Sequence, residues 1–319
     1  MDLELRHLKI VRAVAEAGSV SKAATMLGLA QPALTAQLKR IERVLGGALF
    51  DRDHTGAHPT ALGELVLTRA RVLLPAARQL QEEAARFANS PGTEQRFRLG
   101  ATNSPILGGL VDRLAAADPP AAVSTYTSWS AEELAGMVLR GRLDYALVGV
   151  CGESRPPAAD SLIWRTVAVD AVCVLVSDDH PLAGLPEAGL ERFRHENWSV
   201  APGDGCFADC FAAACARAGF TPRTIYEADV GTGVHLAQVG RAVALCQATF
   251  HLTPGLTLLP IADAPLRWRQ LLGWHPDSTA ARAAPAMLTH AKAAHMDAVR
   301  RSHRYRTWLL DHPGLGTLP

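Results

Sequence analysis

The chain has no long apolar run free of polar residues, no cysteine in its first 150 residues and almost no net charge. Each absence narrows what it can be. The longest stretch without a formal charge, residues 242–262, carries two prolines, a glycine, a histidine, a glutamine and three threonines, so it does not read as a membrane span. The amino end places Asp2 and Glu4 where a secretory signal needs a basic start and an apolar run, which disfavours export. All six cysteines lie beyond residue 150 and read as reduced intracellular thiols rather than a disulfide framework, so a cytoplasmic location is expected, with no membrane partner. With 32 Lys and Arg against 31 Asp and Glu, the net charge of +1 excludes a protein that coats nucleic acid or anionic membrane by bulk charge. Any nucleic-acid contact must be local. Walker, GxGxxG, HExxH and GxSxG patterns are all missing, so no enzyme is expected and no catalytic residue, metal ligand or cofactor is assigned.

At 319 residues the chain is long enough for two or three domains. Its first ninety residues read helical. Leu5, Leu8, Val11, Val14 and Ala15 form one stripe stopped by Gly18, and a short helix is predicted over residues 21–27. Gly28-Leu29-Ala30 breaks it. Leu34, Leu38, Ile41 and Leu45 then fall at helical spacing on a longer helix ended by Gly46-Gly47, the pattern of a helix-turn-helix. Residues 49–60 read as a two-stranded wing, and residues 61–87 as a helix of about seven turns, bent at Pro75, with the length of a connector or dimerisation helix. After the turn-rich 89–93 segment, strands alternate with helices in two sets, residues 97–150 and 171–262. This predicts parallel α/β sheet in two similar halves with a ligand between them.

On the second helix of the pair the apolar stripe faces inward. Gln31, Pro32, Thr35, Ala36, Gln37, Lys39 and Arg40 are left at the amino end or on outer faces. A glutamine amide can bond two edges of adenine, while proline, alanine and a threonine methyl can touch a thymine methyl. Lys39, Arg40 and Arg43 suit phosphates, which position a helix without reading sequence. Residues 1–90 hold twelve Lys and Arg against nine Asp and Glu, a local surplus of +3, leaving −2 for the remainder. A solvated helical hairpin has the same pattern.

Leu5-Arg6-His7-Leu8, Ala13 to Ser19, Ala23-Ala24, Gln31 to Thr35, Gln37-Leu38, Ile41-Glu42, Leu45-Gly46, Leu49 to Arg52 and Thr60 to Gly63 together resemble the amino-terminal signature of LysR-type transcriptional regulators. The resemblance implies a winged helix-turn-helix over residues 1–60, a linker and dimerisation helix over 61–90, and an effector-binding region over 96–319. That region resembles periplasmic binding proteins and has two α/β subdomains, one of about 96–169 plus 267–319 and one of about 170–266. It further implies double-stranded promoter DNA and a small-molecule effector as partners, and a homodimer assembling to a tetramer. By the same resemblance Gln31, Pro32 and Thr35 contact base edges, Ser19, Ser21 and Lys39 the backbone, and Arg52 in the wing phosphate or minor groove. Two departures stand out. Ala36 occupies a position where many relatives carry arginine, and the wing has His54 and His58 in place of Arg or Lys.

For the effector, Ser104 reads as a helix N-cap followed by proline, and Ser130 to Glu133 as a capping box. A helix amino end suits a carboxylate or other anion, though caps also occur without ligands. Thr102, Asn103, Ser104, Ser128 and Ser130 in the first half are thus candidate effector contacts. Gly203, Asp204 and Thr232 face them from the second half, in the 201–205 and 231–233 loops that follow strands. Cys206 and Cys215 have the spacing of the redox pair in the family's peroxide-sensing branch, and with Cys210 lie on one helix, where packing is the plainer role. A thiol-based sensor is therefore the alternative within the family. A solute-binding protein or enzyme with a helical dimerisation segment is the alternative outside it. Arg300, Arg301, Arg304 and Arg306, with Tyr305 and Trp308, read as the solvated face of a terminal helix.

Overall fold

The computed structural model describes residues 3–53, 56–89, 95–117, 120–203 and 207–316. The chain divides into two compact units, Met1–Gly92 and Thr93–Pro319.

The first unit opens with α1 (Leu5–Ala17), α2 (Val20–Met26) and α3 (Gln31–Leu45). Gly18 and Gly46 end α1 and α3 in the left-handed conformation, which glycine adopts without steric cost. Leu34, Leu38 and Ile41 of α3 are fully buried against Val11 and Val14 of α1 and Val20, Ala23 and Ala24 of α2. That core fixes which face of α3 stays outside. Strands β1 (Phe50–Asp53) and β2 (Gly56–Pro59) pair antiparallel as the expected wing. The wing is seated by a hydrogen bond from the Ala57 amide to the Gly18 carbonyl, 2.9 Å. Gly56 has φ +145°, and a Cβ there would lie 2.5 Å from the Gly18 oxygen, so only glycine fits this contact.

The long helix α4 (Ala61–Asn89) contains Pro75. Its first turn is held by the Thr60 hydroxyl, which accepts from the Gly63 amide and donates to the Ala48 carbonyl. Val66, Leu67, Ala70 and Leu74 bury one face against the head, whereas Leu65, Val72, Leu73 and Leu80 are exposed.

The second unit contains β3 (Gln95–Ala101), α5 (Leu107–Ala115), β4 (Ala121–Thr127), α6 (Ala131–Leu139), β5 (Tyr145–Cys151) and β6 (Ile163–Ser177). There follow β7 (Trp198–Val200), α7 (Phe207–Arg217), β8 (Ile225–Glu227), α8 (Val230–Gln238), β9 (Val243–Gln247), β10 (Leu256–Pro260), β11 (Arg267–Trp274), α9 (Ala284–Arg301) and α10 (His303–Leu309).

Among the described strands, parallel ladders form two arms, β4-β3-β5 and β8-β7-β9. The expectation of parallel sheet throughout is corrected by the strands between them. β11 runs antiparallel to β5 and β6, and β6 antiparallel to β9 and β10, so the nine strands form one mixed sheet. β6 changes partners within its length: residues up to Ala171 pair with β11, and from Val172 onward with β9 and β10.

Two local expectations also change. The 231–233 segment is not a loop but lies in the first turns of α8, because the Asp229 carboxylate accepts from the Thr232 amide at 2.9 Å and caps the helix there. Ser104 does not cap α5, which starts at Leu107; its hydroxyl instead accepts from Gln270 Nε2 at 2.7 Å.

The carboxy-terminal segment reaches further than the first subdomain. Met287, Ala291 and Ala294 of α9 pack with Phe97, Leu99 and Leu110 in the first arm's core. Val299, Tyr305 and Trp308 pack with Cys173 and Leu258 beside the second. Nor is the terminal arginine cluster all solvated, since Arg304 donates to the carbonyls of Ala183 and Leu185, both at 2.8 Å. At the partner change in β6, Asp170 is buried with its Oδ2 2.8 Å from His295 Nε2. The Tyr305 hydroxyl donates to Asp170 Oδ1 at 3.0 Å and accepts from the Ala171 amide at 3.2 Å.

Candidate functional site

In the head, Gln31, Pro32, Thr35, Ala36 and Lys39 together line one open surface hollow at the amino end of α3. Burial of Leu34 and Leu38 turns exactly the intervening positions outward, and Gln31, Pro32, Ala36, Lys39 and Arg40 are all exposed. The helix begins with Gln31 and Pro32 and no side-chain cap on its amino end, so its first N–H groups remain available to an anion. Ser19 sits half-buried as the residue before α2 and Ser21 is exposed in its first turn; neither lines the hollow. The backbone of Arg52 pairs with Ala57 in the wing, but its side chain, like His54, lies outside the described residues.

In the second unit a cavity of about 370 Å³ opens between the two arms. From the first side come Thr102, Asn103, Trp129, Ala131 and Gly149, with Trp268 of β11. From the second come Gly203 and its neighbours, Phe207 and Phe211 of α7, Ile225, and Leu245 to Gln247 of β9. The Trp268 indole lies flat on Gly149, where a Cβ would fall 1.9 Å from the ring, and meets Phe207 edge-on with centroids 5.5 Å apart. Gly203 comes close to the first side as well: a Cβ on it would lie 3.1 Å from the Trp129 carbonyl oxygen. A hydrogen bond crosses the cleft, from Gln247 Nε2 to the Asn103 carbonyl at 3.1 Å. Asn103 holds φ +32°, a region asparagine tolerates better than most residues.

Of the sequence-derived effector residues, Thr102, Asn103 and Gly203 line this cavity. Ser104 lines an adjoining one of about 210 Å³ that shares Asn103, Val200, Ala201, Leu245, Cys246 and Gln247 with it. Ser128, Ser130 and Thr232 line neither. The Ser130 hydroxyl caps α6 by accepting from the Glu133 amide at 2.9 Å, and the Ser128 and Tyr126 hydroxyls donate to the Glu133 carboxylate. Those two bonds hold the exposed Glu133 below the usual carboxylate range. The place read as an anion site is thus taken by the protein's own carboxylate. Asp204 and Cys206 lie outside the described residues. Cys215 is fully buried with Trp198, Phe211 and Ala214, and burial pushes its thiol up to about 11, the reverse of what a reactive thiol requires.

Sequence reasoning missed Trp129, Phe207, Phe211, Trp268 and Gln247. The four aromatics carried the signal of large apolar side chains, Trp129 just after β4, Trp268 at the start of β11 and Phe207 and Phe211 one turn apart on α7, but Gln247 carried none.

Residues 5–64 match the family model of the bacterial regulatory helix-turn-helix protein, lysR family, and residues 90–295 that of the LysR substrate binding domain. The chain is 36% identical over 311 residues to a Small neutral protease regulatory protein of Streptomyces coelicolor, covering 97% of each chain. It is 35% identical to the protein of that name from Streptomyces lividans, over all of this chain and 90% of the other. Among solved structures, an OxyR mutant from Corynebacterium glutamicum superposes with a TM-score of 0.56 at 20% identity, covering 95% of this chain and 96% of that one. Full-length BenM superposes with a TM-score of 0.53 at 21% identity, covering 91% and 97%. These structures share the fold. The chain belongs to the LysR family of DNA-binding transcriptional regulators.

Proposed function

We propose that the protein reads promoter DNA with the amino end of α3 and is set by a small-molecule effector held in the cleft between the two arms of the second unit. The observation that carries the DNA reading is the single hollow lined by Gln31, Pro32, Thr35, Ala36 and Lys39. Gln31, Pro32 and Thr35 meet base edges. Lys39, Arg40, Ser19, Ser21 and the wing's Arg52 meet the backbone, positioning α3. With Ala36 in place of an arginine, discrimination rests on Gln31. Gln31→Ala abolishes preference for the operator in a competition gel shift while leaving weak nonspecific binding. Unchanged preference defeats the assignment.

The effector contacts are Thr102, Asn103 and Gly203, together with the aromatic walls and Gln247; Ser104 serves the adjoining cavity. Binding there changes the relative populations of open and closed arms, and so the arrangement of DNA-binding heads. A second copy covers the exposed Leu65, Val72, Leu73 and Leu80 face of α4, giving a dimer that pairs into a tetramer. Ala212→Trp, an exposed position on the cleft wall, fills the space without disturbing the core. It fixes the DNA footprint in one form that metabolite extracts no longer alter; a footprint that still responds to extract removes the cleft from the mechanism. The near full-length similarity to the Streptomyces regulators makes a neutral-protease promoter the first DNA to test. The redox alternative gains no support from the buried Cys215.

A further inference from the structure

We propose that the effector is an uncharged, mainly aromatic molecule carrying both a hydrogen-bond donor and an acceptor; this rests on the cleft being the effector site.

The cavity's charge balance argues first. Among the described residues that line it there is no Arg, Lys or His, and the one ionisable carboxylate, Glu227, is exposed and would repel an anion. Residues 204–206, which follow Gly203 in the sequence, are Asp, Gly and Cys and include no Arg, Lys or His. An anion brought into such a site loses its hydration and gains no counter-charge. The helix end that could have supplied a partial positive charge, that of α6, already holds Ser130 as its cap and Glu133 in its first turn.

The wall chemistry argues second. Trp129, Phe207, Phe211 and Trp268, with Pro202, Pro222 and Ile225, present flat apolar surfaces, which favour offset or edge-on contact with another ring. A volume of about 370 Å³ falls within the range of small-molecule pockets.

Two unmet hydrogen-bonding atoms argue third. Trp268 Nε1, a donor, and Gln247 Oε1, an acceptor, are each buried without a partner among the described residues, and both residues line this cavity. A buried group left unpaired carries its full desolvation penalty, which a ligand offering the complementary pair removes. A carboxylate can accept from Trp268 but has nothing to give Gln247. An amide, lactam or similar group serves both.

The test uses the full chain and three matched probes, 2-naphthamide, 2-naphthoate and 2-naphthylmethylammonium, titrated by calorimetry. The amide binds at least tenfold more tightly than either charged probe, and Gln247→Leu and Trp268→Phe each weaken it about tenfold while the chain stays folded by circular dichroism. Equal or tighter binding of naphthoate or the ammonium, no binding of the amide, or amide affinity indifferent to both substitutions overturns the proposal. The Ala212→Trp footprint is read separately: if it has lost its response to extract while a charged probe binds best, the cleft remains the effector site and only the ligand class falls.

Discussion

Asp170 is a carboxylate at 1% exposure with two buried partners, His295 and Tyr305. Removing one member of such a set leaves the others desolvated and unpaired, which costs more than the bonds were worth. Asp170→Ala therefore lowers unfolding free energy by about 3–5 kcal/mol in urea titrations. Asp170→Asn, which can still accept from Tyr305, loses roughly 1–3 kcal/mol. Equal losses would mean that packing, not hydrogen bonding, holds this point. None of this was legible in the sequence, because Asp170 and His295 are 125 positions apart and each reads as an ordinary surface residue. By contrast Gln31, Pro32, Thr35 and Lys39 were legible. They lie within nine residues on one helix whose buried stripe declares the opposite face.

Among the elements, the head helices follow from a period of 3.6 residues and glycine stops, both local properties of the chain. β11 left no comparable trace. Arg267–Trp274 mixes charged, amide and aromatic side chains, with Gln270 buried to 1% exposure, so it shows neither alternation nor a plain apolar run. The amino half of β6 is hidden in the same way by Arg165, Thr166 and Asp170. The cavity was only partly legible because its walls come from segments between residues 102 and 268 that share no local pattern. The linker helix α4 carries a prediction at this scale. Its inner face is buried by its own head, so Leu73 and Leu80, at 47% and 67% exposure and two turns apart, remain for a second copy. Leu73→Glu with Leu80→Glu sets carboxylates into that face. The doubly substituted chain sediments as a monomer with its circular dichroism retained, whereas an unchanged sedimentation coefficient would move the dimer contact elsewhere.

For the whole molecule, near-neutrality is a sum over unlike parts, +3 for residues 1–90, which include α4, and −2 for the remainder. So small a surplus gives one head weak, salt-sensitive binding, and useful affinity requires several heads held together, each raising the effective concentration of the next. Lys39→Ala weakens binding almost uniformly across DNA sequences and lowers the slope of log affinity against log salt by about 0.9 for each head engaged. A loss confined to one DNA sequence would instead give Lys39 a base contact.

The partner change in β6 has a mechanical consequence. At that point β6 and β11 lie side by side, Ala171 opposite Arg267 and the Val172 amide bonded to the Leu266 carbonyl at 3.0 Å. Two strands stitched together resist sliding along or tearing from one another but flex together as a ribbon, much as a leaf spring bends only across its flat. Asp170, gripped by side chains from α9 and α10, clamps one end of that spring. Under the proposed effector mechanism, strain from a ligand in the cleft would pass into bending of this ribbon, and a softer clamp at Asp170 would weaken the response that the ligand produces.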